Sequence, residues 1–424
     1  MTTIAAFFIA LLAGLPIFIV LLLGTLVFLQ QTELTMLISS LPIQLFGSLS
    51  QNGLLAIPLF MLVGELMNKG GLTSRLMNAA DVFFGGFRGG MAYVNLMTNA
   101  MAASILGSAT AQIAVMSKLM IPTMVEKGYN KEFSGAVTIA GGLLGPIIPP
   151  SMLMIIYGVV AYQPISDLFI AGILPGLLII AGFALVIFLT GVIKGLPKGE
   201  KLAHRDIKKD VLNGLLPGAI PVTVIICIIS GVMTPTEAGA IASVMAFLMG
   251  WLVYKSIKLS DLGNIFATVA TSTATITGLI AMASVMGWAL SFEGIPDMMV
   301  EWIASLTTSP VVFLMLVYLL VIVLGMFLES IAVMIVLVPI ILPAAVGFGI
   351  NPIHFGVIIS LATLVGLVTP PVGPGLYIAM ISANLKMMPL FRAMVPFLLA
   401  MAISMIVIAL VPELSLWLPA ALLK

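Results

Sequence analysis

The residues able to do chemistry in this chain are few, and they interrupt otherwise apolar runs. Glu329 stands between Gly325 and Ser330 with no basic residue nearby in sequence, and Ser104, Gly107, Ser108, Thr110 and Gln112 interrupt a second run. Downstream of each cluster lies a double proline: Gly145-Pro146-Ile147-Ile148-Pro149-Pro150-Ser151 and Gly366-Leu367-Val368-Thr369-Pro370-Pro371-Val372-Gly373. Proline inside a helix removes an amide donor and pushes the preceding carbonyls out of the hydrogen-bond ladder. Carbonyls freed this way, with the negative end of the first half-helix and nearby hydroxyls, can replace the water around a small cation such as sodium. The amino end of the second half-helix, where Ser151 stands, can face a carboxylate. A proline kink that binds nothing is the plainer reading of one isolated motif; two copies at equivalent positions, each beside a polar turn, favour the ligand.

Composition sets the surroundings of these residues. Of 424 residues, 61% are hydrophobic and 8% are charged. No single soluble core could hide that much apolar surface. Stretches such as 4–29, 168–193 and 237–254 are long and almost uncharged, and a span needs about 20 such residues. Ten to twelve membrane elements fit, with residues 4–29 read as a retained first helix because residues 1–30 carry no basic n-region and no small-residue cleavage site. In that setting Glu329 becomes a site for an ion, a proton or a polar substrate, with a protonated or water-exposed carboxyl as the plainer alternative. The formal charge of +1 gives no reason to expect nucleic acid. Cys227, the single cysteine, cannot form an internal disulfide and reads as a packing residue. His204 and His354 have no metal-ligand partners at suitable spacing, and no phosphate loop or nucleophile signature marks an enzyme.

The placement of charge predicts topology. Lys194, Lys198, Lys201, Arg205, Lys208 and Lys209 crowd the one long hydrophilic loop, which positive-inside bias assigns to the cytoplasm. Counting crossings outward puts 16 of the 17 basic residues on that side and leaves Lys424 opposite. The N-terminus is then cytoplasmic and the C-terminus periplasmic. Trp251, Trp288, Trp302 and Trp417 read as interfacial anchors, and Glu65 and Glu237 as interfacial carboxyls near helix ends.

Two related halves position the chemistry. Sliding the chain by 221 positions pairs Pro122 with Pro343, Val125 with Val346, Gly128 with Gly349, Asn130 with Asn351, Gly135 with Gly356, Leu143 with Leu364, Gly145 with Gly366 and Pro149-Pro150 with Pro370-Pro371. A shift of 223 pairs Gly64 and Gly71 with Gly287 and Gly294. Nine identities in 29 positions, most of them Gly, Pro or Asn, indicate duplication. Lys69, Arg75 and Arg88 follow the first helix of one half, whereas Glu293, Asp297 and Glu301 follow its counterpart. Equivalent loops of opposite charge lie on opposite faces, the inverted-repeat plan of secondary transporters. A parallel tandem repeat would need an even number of crossings per unit, against this count.

The expected architecture is therefore all-α and polytopic: a first transmembrane helix and amphipathic connection over 1–50, one repeat over 51–193, a basic loop and two linking helices over 194–261, and the second repeat over 262–424. Each repeat holds a re-entrant hairpin (91–125 and 311–343) and a proline-broken helix (134–163 and 355–384). The hairpins are expected to turn near 104–108 and 325–330, and irregular backbone at such depth is tolerated only where it is buried in protein or lines a cavity. The run Thr268, Thr271, Ser272, Thr273, Thr275 and Thr277 reads first as close helix packing and second as a hydrophilic lining.

With its hairpins, its broken helices and the turn Gly231-Val232-Met233-Thr234-Pro235-Thr236-Glu237-Ala238, the chain resembles the large membrane subunit of tripartite ATP-independent periplasmic (TRAP) transporters over nearly its whole length. Within that family it looks most similar to the sialic-acid permeases. The resemblance implies the elevator fold of the wider ion-transporter superfamily, in which hairpins and broken helices carry a site past a static scaffold. It implies sodium-coupled import of an organic acid, of the sialic acid or C4-dicarboxylate class, across the bacterial inner membrane. Its implied partners are a soluble periplasmic binding protein and a small four-helix membrane subunit, the latter expected as a separate polypeptide because the chain starts at its first large-subunit helix. About two sodium ions follow, and no organic cofactor. Carried onto this sequence, one sodium site would use Ser104 or Ser108 with backbone at Gly145, Ile148 and Pro150; the other would use Gly325, Gly366, Thr369 and Val372. Glu329 and Ser151 are the expected substrate contacts. A stand-alone sodium/carboxylate symporter shares these features and needs no partner; a channel fits less well, because two hairpins closing on one site suit occlusion.

Overall fold

A computed structural model describes residues 2–199 and 207–423. Lys201, His204, Arg205 and Lys424 lie outside the described residues. The described chain is helical, without a strand; one isolated bridge joins Arg88 and Lys198. The helices, in order, are α1 Thr2–Leu12, α2 Ile17–Gln31, α3 Leu41–Leu49, α4 Ala56–Lys69, α5 Leu72–Phe84, α6 Gly90–Leu106, α7 Ala109–Glu126, α8 Lys131–Gly142, α9 Met152–Val160, α10 Ile165–Ala171 and α11 Ile173–Lys194. There follow α12 Ile207–Ile229, α13 Pro235–Leu248, α14 Leu262–Phe292, α15 Ile295–Leu306, α16 Pro310–Gly325, α17 Ser330–Gly347, α18 Pro352–Leu367, α19 Pro374–Ala383, α20 Met387–Leu410 and α21 Glu413–Leu422. Among the described residues six helical stretches are long and apolar enough to cross a membrane, including Ile165–Lys194, Leu259–Phe292 and Met387–Leu410. Many of the remaining helices are shorter because the chain breaks or turns back within apolar stretches.

The repeated Gly and Asn residues are explained by backbone geometry. Gly128 and Gly349 adopt φ of +84° and +74°, a left-handed conformation that ends the preceding helix cheaply only in glycine. Two residues on, Asn130 and Asn351 cap the next helices: Asn130 Oδ1 accepts from Phe133 N at 2.9 Å, and Asn351 Oδ1 from Ile353 N at 2.8 Å. Gly71 and Gly294, at +63° and +65°, introduce α5 and α15 in the same way. Duplication has thus kept glycine where the backbone is left-handed and a capping side chain where the next helix starts.

The turn before α13 is a capping box. Glu237 N donates to Thr234 Oγ1 at 3.3 Å, and Thr234 N donates back to Glu237 Oε2 at 2.8 Å. Helices α12 and α13 pack against α5 and α4 of the first repeat.

One expectation is corrected. Residues 4–29 do not form one first helix: Gly14, at φ +75°, and Pro16 separate α1 from α2. Thr3 Oγ1 donates to Gln31 Oε1 at 2.7 Å, so the two helices fold back on each other. With 11 and 15 residues, both arms are short for a span at 1.5 Å per residue. The fold-back takes away the crossing from which a cytoplasmic N-terminus was counted.

Candidate binding site between the hairpin tips

Each hairpin is two helices that meet at a short turn. The first turns at Gly107 and Ser108, between α6 and α7, and the second at residues 326–329, between α16 and α17. Gly107 has φ +60°, and a Cβ there would sit 3.3 Å from backbone and side chain of Met152, so the tip lies directly on the start of α9. Ser108 caps α7, accepting from Ala111 N at 3.5 Å. Ser104 lies one turn inside α6, is buried, and donates to Met101 O at 2.8 Å. The first tip therefore falls at the end of the expected 104–108 segment, with Ser104 still helical.

The broken helices receive these tips. The first break runs over 143–151 between α8 and α9, the second over 368–373 between α18 and α19. Both Pro-Pro bonds are cis. Close approach is made possible by glycine on each side. A Cβ on Gly141 would lie 2.6 Å from Asn99 Cβ, one on Gly142 would lie 2.5 Å from Ile113, and one on Gly145 would lie 2.6 Å from Gln112 Oε1. In the second half a Cβ on Gly366 would lie 2.6 Å from Ile322 O and 2.7 Å from Gly325 Cα, backbone against backbone. Gly373 N donates to Met326 O at 3.0 Å, tying the second break to the second tip.

The breaks leave acceptors without helical partners. No backbone hydrogen bond among the described residues reaches the carbonyls of Gly145, Ile148 or Pro150, nor those of Gly325, Thr369 or Val372. Gly366 O accepts from Thr369 N at 3.0 Å, and Thr369 Oγ1 donates to Val365 O at 2.6 Å. The first set sits where a tip meets α8 and α9, and the second joins tip and break by direct Gly325 to Gly366 contact. Free carbonyls beside a hydroxyl are oxygen donors suited to a small hard cation. Ser151 is placed differently: it is fully buried, caps α9 by accepting from Met154 N at 3.2 Å, and donates to Pro146 O. Its hydroxyl bridges the two sides of the break.

The two tips touch. Thr110 Oγ1 donates to Glu329 Oε1 at 3.3 Å, and Gly107, Ser108, Thr110, Pro146, Glu329, Ser330 and Leu367 close around a small space between them. Beside it opens a cavity of about 610 Å³, within the range of small-molecule sites. Ser108 and Glu329 line one wall; Glu65 and Asn68 of α4 and Thr268, Ser272 and Thr275 of α14 line the other. For those three hydroxyls the second reading, a hydrophilic lining, describes their position. Pro16, Ile17 and Phe18, at the turn between α1 and α2, also reach this cavity. Sequence reasoning missed them and Asn68, since short apolar segments and a lone amide near Lys69 carry no signal of a shared wall. No lysine or arginine is among the lining residues. Among the described residues no cluster of His, Cys, Asp and Glu could hold a transition metal.

Comparison with known proteins places this geometry in context. Residues 4–414 match the family model described as "Tripartite ATP-independent periplasmic transporter, DctM component". The chain is 34% identical over 407 residues to the sialic acid TRAP transporter large permease protein SiaM of Vibrio cholerae, covering 96% of this chain and 95% of that one. It is 32% identical over 382 residues to the C4-dicarboxylate TRAP transporter large permease protein DctM of Pseudomonas aeruginosa, covering 90% of each. A crystal structure of the YdaH transporter of Alcanivorax borkumensis superposes with a TM-score of 0.63 at 15% identity, covering 89% of this chain and 88% of that one. That likeness concerns the fold alone.

Proposed function

The chain belongs to the DctM component family of tripartite ATP-independent periplasmic transporters, and on that premise we propose that it imports an organic acid across the bacterial inner membrane, driven by sodium. Members of the family are transporter permeases, not enzymes. The observation that carries the reading is the cavity of about 610 Å³ bounded by both hairpin tips, with Ser108 and Glu329 on one wall. A substrate there touches both hairpin tips, which also contact the breaks. Sodium held by the carbonyls of Gly145, Ile148 and Pro150, and by Gly325, Gly366, Thr369 and Val372, fixes the tips against the breaks and so forms the substrate wall. Coupling follows because substrate binds best to the conformation that the ions stabilise. In this reading the hairpins and broken helices move as an elevator past α4, α14 and the linking helices.

Between the acid classes named for the two relatives above, the lining favours the sialic acid class. Glu65 and Glu329 both face the cavity, without a lysine or arginine to offset them. Two carboxylates repel a dianion more than a monoanion, whereas their oxygens and the hydroxyls of Thr268, Ser272 and Thr275 accept from and donate to a polyhydroxylated acid. The substrate carboxylate is then met by hydroxyls and by the amino end of α7. A soluble periplasmic binding protein delivers the acid, a small four-helix membrane subunit supports the scaffold, and the C-terminus is periplasmic.

The test is uptake of radiolabelled sialic acid into proteoliposomes holding this chain and its small subunit, with the binding protein added outside. Omission of either component is expected to abolish uptake. Transport by this chain alone would instead identify a stand-alone symporter.

A further inference from the structure

Gln112 is wholly buried on α7, and the hydrogen bonds around it are one-sided. Its Nε2 donates to Asn99 O at 2.7 Å and to Asn99 Oδ1 at 3.0 Å, with Gly141 O at 3.4 Å. These three acceptors fix which end of the amide is nitrogen. The oxygen, Oε1, therefore points the other way, and among the described residues it accepts no hydrogen bond. It points at Gly145, where a Cβ would lie only 2.6 Å from it. A buried acceptor without a donor keeps its full desolvation cost, and such a group in a native fold calls for a specific partner.

The amide is held in place by further buried groups. Asn99 Nδ2 donates to Asn95 Oδ1 at 2.7 Å, and Asn95 Nδ2 donates to Thr138 Oγ1 at 2.7 Å. Asn95, Asn99, Gln112 and Thr138 are all fully buried, and they link α6, α7 and α8. In the second repeat, 221 positions on, Gln112 and Thr138 are replaced by Val333 and Ile359. Packing of hairpin on broken helix therefore does not require an amide, because the second half achieves it with apolar side chains and bare glycine. A polar chain kept in one half only, ending in an unpartnered oxygen against Gly145 at the break, has the form of a ligand and its support.

We propose that Gln112 Oε1 is a direct oxygen ligand of a sodium ion bound at the first break, alongside the Gly145 carbonyl, and that Asn99, Asn95 and Thr138 are positioning residues that hold the amide in that orientation. The inference rests on the sodium-coupled reading above and deepens it. It makes the two cation sites chemically unequal: the first has a side-chain amide oxygen with no counterpart in the second. An amide oxygen is neutral, cannot be protonated in the physiological range, and is shaped for a small hard cation.

Sodium binding to the purified permease tests this without substrate or partner proteins. The midpoint of thermal unfolding in detergent is followed as sodium chloride replaces choline chloride at constant ionic strength. The wild type is expected to show sodium-specific stabilisation. Gln112→Met, of similar length but without the oxygen, is expected to keep its unfolding midpoint in choline within a few degrees and to need at least about tenfold more sodium for half of the stabilisation. Gly145→Ala, which places a methyl against Oε1 from the backbone side, gives a second measure if Gln112→Met does not fold, and should show the same tenfold weakening. Unchanged sodium dependence in Gln112→Met or Gly145→Ala would overturn the proposal, as would a wild type indifferent to sodium. Failure of the transport reading alone, with the wrong substrate or no need for a binding protein, would leave this titration unaffected.

Discussion

Thr110 Oγ1 donates to Glu329 Oε1 at 3.3 Å, joining the tips of two hairpins that lie 219 positions apart in the chain. Contact between the tips makes the carboxylate part of a shared surface instead of an isolated charge, and leaves its other oxygen free to face the cavity. Glu329→Ala is expected to lower uptake at sub-saturating substrate by about tenfold or more, the scale of one charge-assisted hydrogen bond. Glu329→Gln, which can still meet a hydroxyl, is expected to lose less. Initial uptake rates in proteoliposomes, normalised to reconstituted protein, check the order wild type, then Gln, then Ala.

Glycine at 366 is a steric requirement. The added methyl of Gly366→Ala would meet the Ile322 carbonyl and the Gly325 Cα at 2.6 and 2.7 Å, and neither atom can rotate away. The second tip must then lift off its break. Both thermal stability and uptake are expected to fall, the unfolding midpoint by several degrees, whereas Gly263→Ala, with nothing within 4 Å of the added methyl, is expected to change neither.

The paired caps make a symmetric prediction. Asn130→Ala and Asn351→Ala each remove the oxygen that accepts from Phe133 N or Ile353 N. Each is expected to destabilise by about 1 kcal/mol. The sites are far apart in sequence and share no hydrogen-bond partner, so the double variant should show the sum within about 0.5 kcal/mol. Chemical denaturation of the purified protein measures all three.

These positions also show what a single sequence carries. Gly128, Asn130, Gly349 and Asn351 were legible as a repeat because left-handed backbone and a helix cap are local demands, met by the same residues in both halves. The double prolines were legible for the same reason. The amide chain from Thr138 to Gln112 was not, because its members meet only after the hairpin docks on α8, and an asparagine inside an apolar run gives no hint of its partner. Nor was the fold-back of α1 on α2: residues 4–29 are uniformly apolar, and apolarity alone reads as one span unless Gly14 and Pro16 are given the weight of a turn. Ser151 was legible as the start of a half-helix, and its hydroxyl caps α9 and donates to Pro146 O across the break.

Thr369 separates sodium coupling from simple packing. Its Oγ1 donates to Val365 O at 2.6 Å and leaves the oxygen's lone pairs beside the second break. Thr369→Val keeps the shape and removes the oxygen. The sodium concentration for half-maximal uptake is expected to rise about fivefold or more, while the rate at saturating sodium falls less.

The most direct test of coupled transport through the cavity between the tips is sialic acid accumulation in proteoliposomes containing the complete system, under an inward sodium gradient and then with choline replacing sodium. Accumulation above the external concentration, collapsed by a sodium ionophore and lost in choline, is the expected result. Equal uptake in sodium and choline, with no accumulation against the gradient, would contradict it.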